Sequence, residues 1–173
     1  LLAPNVDARL FEIVSYSILK FYYKDIHNHI VWGYIGEELQ EDYLHLYKTG
    51  RTNANDGGID FVMRPLGRFF QVTETLDFKK YFLDIEKIER YPLSFVIKSD
   101  DSIEDLLNKI KTDAQKTYIV EDVVDAYLDC IEEVINIPLL KSYIEELSIK
   151  GLMGDVLDEI VRQSKVEFNY EEE

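Results

Sequence analysis

The stretch Gly57-Gly58-Ile59-Asp60-Phe61-Val62, followed after a short turn by Phe69-Phe70-Gln71-Val72-Thr73, decides how this chain reads. It predicts two strands, near 59 to 64 and 68 to 75, joined by Pro65-Leu66-Gly67. On a pleated strand every second side chain faces the same way. Asp60, Val62 and Arg64 therefore share one face of the first strand, and Phe69, Gln71, Thr73 and Thr75 share one face of the next. Polar groups on facing strands can be aimed at one metal or one phosphate. The other outcome is an edge hairpin whose Gln and Thr meet solvent, since a covered polar face needs partners.

Working outward, residues 7 to 24 read as a helix, with Leu10, Phe11, Val14, Ile18 and Phe21 at helical spacing and Asp7 as N-cap. Tyr16, Leu19 and Tyr23 extend the apolar surface, which leaves Arg9, Lys20 and Lys24 for water and predicts a largely buried helix. Glu12 lies in that helix, and a buried carboxylate requires a partner. A metal shared with Asp60 would serve; so would an ion pair with Arg9 or Arg64. Ile30 to Ile35 reads as a strand, 36 to 56 as a polar connection, 77 to 90 as an amphipathic helix and 93 to 98 as a buried strand. The order is helix, three strands, helix, strand. Beyond Ser99 the pattern predicts helices only, over 102–116, 119–135, 139–149 and 153–165. Val123, Tyr127, Ile131, Val134 and Ile135 form one core-facing stripe there, and Leu139, Leu140, Tyr143, Ile144 and Leu147 another. The chain is thus expected to be α/β over residues 1–100, with an acidic all-helical extension over 101–173 packed on it as one compact unit.

Composition narrows the classes. At 173 residues, with 46% hydrophobic and 13% aromatic content, the chain supports one packed core. The single cysteine, Cys130, allows neither an internal disulfide nor a thiolate zinc site. His27 and His29 have no third ligand nearby and read as surface residues. No apolar run approaches the roughly 18 residues that span a bilayer, and Leu1 to Asn5 lacks the basic flank of a signal peptide. An intracellular, cytoplasmic protein without a membrane partner is the expectation, and the missing initiator Met leads to the further expectation of a processed or truncated chain. A net charge of −15 opposes indiscriminate coating of nucleic acid. Residues 1–100 carry 12 basic and 15 acidic side chains, whereas 101–173 carry 7 and 19, so the acidity belongs to the second part. The nearly neutral first part can still meet DNA where divalent ions offset its acidic groups. Glu171 to Glu173 reads as a solvated tail.

Glu12 on the first helix, Gly57-Gly58-Ile59-Asp60 on the second strand, Gln71-Val72-Thr73 on the third and the αβββαβ order together resemble the PD-(D/E)XK nucleases. Within that superfamily, residues 49 to 75 are similar to the ApaLI-like type II restriction endonucleases. The resemblance implies a restriction-endonuclease-like core with a mixed sheet. It also implies Mg²⁺-dependent hydrolysis of double-stranded DNA at a short palindrome by a homodimer. Asp60, Gln71 and the Val72 carbonyl would hold Mg²⁺, with Glu12 behind them. Glu12, Asp60, Gln71 and Thr73 would form the catalytic set. Thr73 departs from the family, because it stands where a Lys normally supplies positive charge. Lys79, or Lys80 if the helix is rotated, would then approach the phosphate. Lys48, Arg51, Asn53 and Asn55 would contact DNA, by the geometry with which Arg reads guanine, Asn reads adenine and Lys meets phosphate. Two rival readings stand beside this one. The chain is a non-catalytic DNA-binding or assembly module that keeps the nuclease fold, or a helical interaction domain built on residues 101 to 165.

Overall fold

The computed structural model describes residues 7–26, 29–50, 59–118 and 120–168. Helix α1, Ala8–Phe21, starts where the Asp7 carboxylate accepts from the Arg9 backbone N–H at 2.9 Å. The Arg9 guanidinium binds the same carboxylate and, with that N–H, holds Asp7 at about 2, well below the usual carboxylate range. Every residue from Phe11 to Leu19 is buried, as the two-sided apolar pattern requires. The helix widens into a π-helical turn at Tyr22–Ile26. Two short strands, β1 (His29–Trp32) and β2 (Gln40–Tyr43), then pair only with each other as an antiparallel ribbon.

The main sheet has five strands in chain order: β3 (His45–Lys48), β4 (Phe61–Arg64), β5 (Arg68–Thr73), β6 (Leu93–Ile97) and β7 (Ile131–Ile135). The first three are antiparallel neighbours, while β5, β6 and β7 run parallel, so the sheet is mixed. Parallel neighbours need crossovers. Helix α2 (Phe78–Lys87) links β5 to β6, and α3 (Ile103–Gln115) with α4 (Glu121–Leu128) links β6 to β7. Helices α5 (Ile137–Ile149) and α6 (Met153–Phe168) end the described chain.

Two apolar layers sandwich the sheet. On one face Phe61, Met63, Phe70, Val96 and Ile135 pack against α1, α5 and α6. On the other, Leu93, Phe95, Ile97 and Val134 pack against α2, α3 and α4. All five residues of β6 are buried, which explains a sequence that carries no charge and is apolar except for Ser94.

The α/β class, the mixed sheet, the 59–75 hairpin and the helix and strand that follow it agree with the sequence, but three boundaries do not. The region beyond Ser99 is not all helical, because Ile131–Ile135 is strand β7. Ile131, Val134 and Ile135 satisfy a helical stripe on paper, yet α4 stops at Leu128 and Val134 and Ile135 face opposite layers of the sheet. The interval 36 to 56 is not simply a polar connection, since it holds β2 and β3. Gln40, Glu41 and Asp42 hide β2 because the ribbon is wet on both sides. The strand expected at 30–35 ends at Trp32 and belongs to that ribbon rather than to the main sheet. Of the two stripes, Leu140, Tyr143 and Leu147 are buried on α5 as expected, whereas on α4 it is Val124 that is buried and Val123 is exposed. No described helix is long and apolar enough to cross a membrane. The expectations for Leu1 to Asn5, His27 and Glu171 to Glu173 lie outside the described residues.

Burial gives the fold an alkaline limit. Burial first, and then the neighbouring Glu133 charge, push the Tyr23 and Tyr143 phenols above their ordinary value of 10.0. Burial and then Asp84 do the same for Tyr81. In the unfolded chain these phenols ionise near 10.0, while the folded state holds them protonated. Their stabilisation is therefore complete below that pH and is lost as pH rises. We expect a cooperative alkaline unfolding above pH 10.0 in which tyrosinate absorbance and far-UV circular dichroism change together. Titration of all tyrosines before any loss of helix would contradict this burial.

Candidate functional site

The β4–β5 ladder runs from Met63 opposite Arg68 to Phe61 opposite Phe70. One further backbone bond, from Asp60 N–H to the Phe70 carbonyl at 2.9 Å, closes it. On its other edge the Asp60 carbonyl accepts from the Thr49 N–H at 3.0 Å. Beyond that point the Asp60 side chain takes over from the strand, because its Oδ2 accepts from the Val72 N–H at 2.6 Å. The N–H and C=O of one strand residue point toward the same neighbour. The Val72 carbonyl therefore faces the same gap, and Gln71 Nε2 donates to it at 3.3 Å.

Gln71 is 7% exposed, and its Oε1 has no hydrogen-bond partner. The Asp60 carboxylate, the Val72 carbonyl and the Gln71 amide thus converge where β4 and β5 part. A hard divalent cation such as Mg²⁺ takes oxygen donors of these kinds, with water completing its shell. The donor types fit. Their charge is low, since one carboxylate supplies all of it and one of its oxygens already accepts from Val72.

Thr73 is 4% exposed; its hydroxyl accepts from the Thr75 N–H at 3.3 Å. Phe70 belongs to the α1 layer and Phe69 packs on the α2 layer. Strand alternation therefore places Gln71 and Thr73 on the α2 side of the sheet.

Glu12 lies in the α1 layer. Its Oε1 is 2.7 Å from Lys48 Nζ, and the two side chains are only 7% and 11% exposed. Lys48, expected to meet phosphate, is the residue that balances Glu12. Neither arginine named from the sequence does so, for Arg9 is turned onto Asp7 and Arg64 is exposed at the end of β4. Lys48 is the register partner of Phe61, so this ion pair sits one residue from Asp60 but on the α1 side.

The two replacement lysines are placed differently. Lys79 is exposed in the first turn of α2, with its backbone N–H on Asp77 Oδ1 at 3.1 Å. Lys80 Nζ lies 2.9 Å from one oxygen of the fully buried Asp84, and Lys87 Nζ lies 3.0 Å from the other. Lys80 is therefore committed within its own helix. The sequence reading missed Lys98, whose backbone N–H donates to the Thr73 carbonyl at 2.9 Å. Its side chain is 5% exposed, pairs with Glu74 and stands 5.8 Å above the Phe11 ring. The available signal was its position as the first charge after the uncharged, largely apolar run of β6. Arg51, Asn53, Asn55, Gly57 and Gly58 lie outside the described residues. Comparison with protein-family models, with curated proteins and with solved structures finds no match.

The Glu12–Lys48 pair gives a stability test. Removing one partner of a buried ion pair strands the other charge, at a cost of about 3–5 kcal/mol. Glu12→Gln should lower the unfolding free energy by about that amount, and the double variant Glu12→Leu/Lys48→Met should recover most of it. Urea titrations of the three proteins decide this. A single-variant loss below about 1 kcal/mol would place the pair in the class of solvent-screened bridges.

Proposed function

We propose that this chain is a non-cleaving assembly module on a nuclease-like α/β frame. One observation carries the reading: apart from Lys79, the charges that phosphodiester hydrolysis would draw on are paired within the chain. Glu12 is balanced by Lys48, Lys80 by Asp84, and Lys98 by Glu74. Asp60 Oδ2 closes the β4–β5 seam, and Thr73, buried and neutral, occupies the position where the nuclease resemblance calls for a cation. The net charge of −15 adds to this, since it favours a protein partner over DNA.

A second reading is favoured by the unpartnered Gln71 Oε1 beside Asp60 and the Val72 carbonyl. In that reading the chain is a type II restriction endonuclease, a cytoplasmic homodimer cutting double-stranded DNA at a palindrome. Asp60, Gln71 and Val72 would hold Mg²⁺, which supplies a nucleophilic water and shields the leaving oxygen. Lys79, exposed at the start of α2, is the cation left to approach the phosphate.

Supercoiled plasmid separates the two. Incubated with Mg²⁺ or Mn²⁺, the wild-type chain is expected to give no nicking above that of Asp60→Asn. Discrete fragments from the wild type that vanish in Asp60→Asn would overturn the assembly reading and establish the second.

A further inference from the structure

The β1–β2 ribbon is the least self-sufficient part of the described molecule. A two-stranded ribbon is marginal in water unless its apolar face is covered. Here Ile30 packs on the α1 layer, while every residue from Val31 to Glu41 is exposed. Tyr34 is 72% exposed, Leu39 is 65% exposed, and Ile35 is fully exposed. Trp32 and Tyr34 meet edge to face with ring centroids 6.5 Å apart, while Val31 and Tyr43 are exposed on the opposite face of the ribbon. Exposed aromatic and aliphatic side chains gathered at the tip of one ribbon, from Trp32 to Leu39, mark an interaction site. Aromatic residues are also the side chains that dominate interface energetics.

Charge selects the partner. Between His29 and Tyr43 the ribbon carries Glu37, Glu38, Glu41 and Asp42 and not one Lys or Arg. Phosphate backbones and anionic lipid headgroups are repelled by such a rim. A second copy brings the same net charge of −15. What complements an apolar strip edged by carboxylates is an apolar strip edged by cations. Pairing along the main sheet edge is a poorer route, because the Tyr16 hydroxyl already donates to the Leu46 carbonyl of β3 at 3.2 Å.

We propose that the β1–β2 ribbon is the docking surface for a basic amphipathic segment of another protein, with Trp32, Tyr34 and Ile35 against its apolar face and Glu37 and Glu38 against its Lys or Arg residues. This rests on the assembly reading and names its partner class. The plasmid assay interrogates the Asp60 seam and the binding assay below interrogates the ribbon, so the failure of one is distinct from the failure of the other.

The probe is a synthetic amphipathic helical peptide of Leu and Lys, titrated against the whole chain by fluorescence anisotropy. Its Leu/Glu counterpart serves as the control. The Leu/Lys peptide is expected to bind, more weakly as salt rises, and the Leu/Glu peptide not at all. The variant Tyr34→Ser/Ile35→Ser keeps every charge and changes only exposed side chains. It should weaken binding by about tenfold or more, as loss of a hot-spot contact does, with unchanged circular dichroism and Tm. Leu39→Ser provides a second apolar variant, and Glu37→Gln/Glu38→Gln should remove most of the salt dependence. Equal affinity for wild type and both apolar variants would mean attraction by bulk charge and would overturn the proposal. So would sedimentation showing self-association that the same variants abolish, or binding to phosphatidylcholine vesicles in place of the peptide.

Discussion

Burial of β6 on both faces is the constraint from which the rest follows. Its side chains alternate between two apolar layers, and no residue from Leu93 to Ile97 reaches solvent. A strand so placed needs cover on both faces, and here its neighbours are parallel, so crossover helices supply one layer and a second helical layer lies opposite. The α2 and α3–α4 crossovers fill one face, and α1, α5 and α6 close the other. Because β5 must continue beside β6 to Thr73 while β4 leaves it at Asp60, the sheet opens a seam. The Asp60 carboxylate, the Val72 carbonyl and Gln71 meet at that seam. The site is thus a by-product of unequal strand lengths around a fixed centre.

Legibility in the sequence tracked how strongly the environment of each segment is one-sided. The 59–73 hairpin was readable because Phe61, Met63 and Phe70 all face one layer, and Pro65-Leu66-Gly67 forms the turn between them. Helix α1 was readable from its width of apolar surface. Strand β7 was not, because Ile131, Val134 and Ile135 fit a period of 3.6 as well as a mixed edge strand does. The ribbon was only half visible, since a strand exposed on both sides carries no alternation to read.

For the site, the sequence could state needs but not partners. Glu12 was recognisable as a carboxylate that something must balance, yet nothing local identified Lys48, which the β3–β4 register brings there. The same limit concealed Lys98. Only the parallel register, with Thr73 beside Ile97, shows that Lys98 falls next to Glu74. Gln71 and Thr73 were correctly assigned to a common face. That this face is the α2 side, away from Glu12, depends on which helix packs where and is a property of the tertiary structure alone.

This division of the sheet separates the groups that hold the fold together from those that meet at the seam. On the α1 side, Glu12 with Lys48 and Glu74 with Lys98 form ion pairs whose lysines are almost wholly buried. Breaking such pairs is costly even where forming them gains little, so they hold the α1 layer over the seam whether or not a cation is bound there. On the α2 side, Thr73 fills its space with a hydroxyl that the Thr75 N–H satisfies locally. A buried lysine at that position would have required a negative partner of its own. With Thr73 neutral, that position needs no charged partner from the rest of the molecule. Stability and chemistry are then uncoupled, and the fold can persist as a rigid support for a surface elsewhere, such as the exposed ribbon that precedes β3.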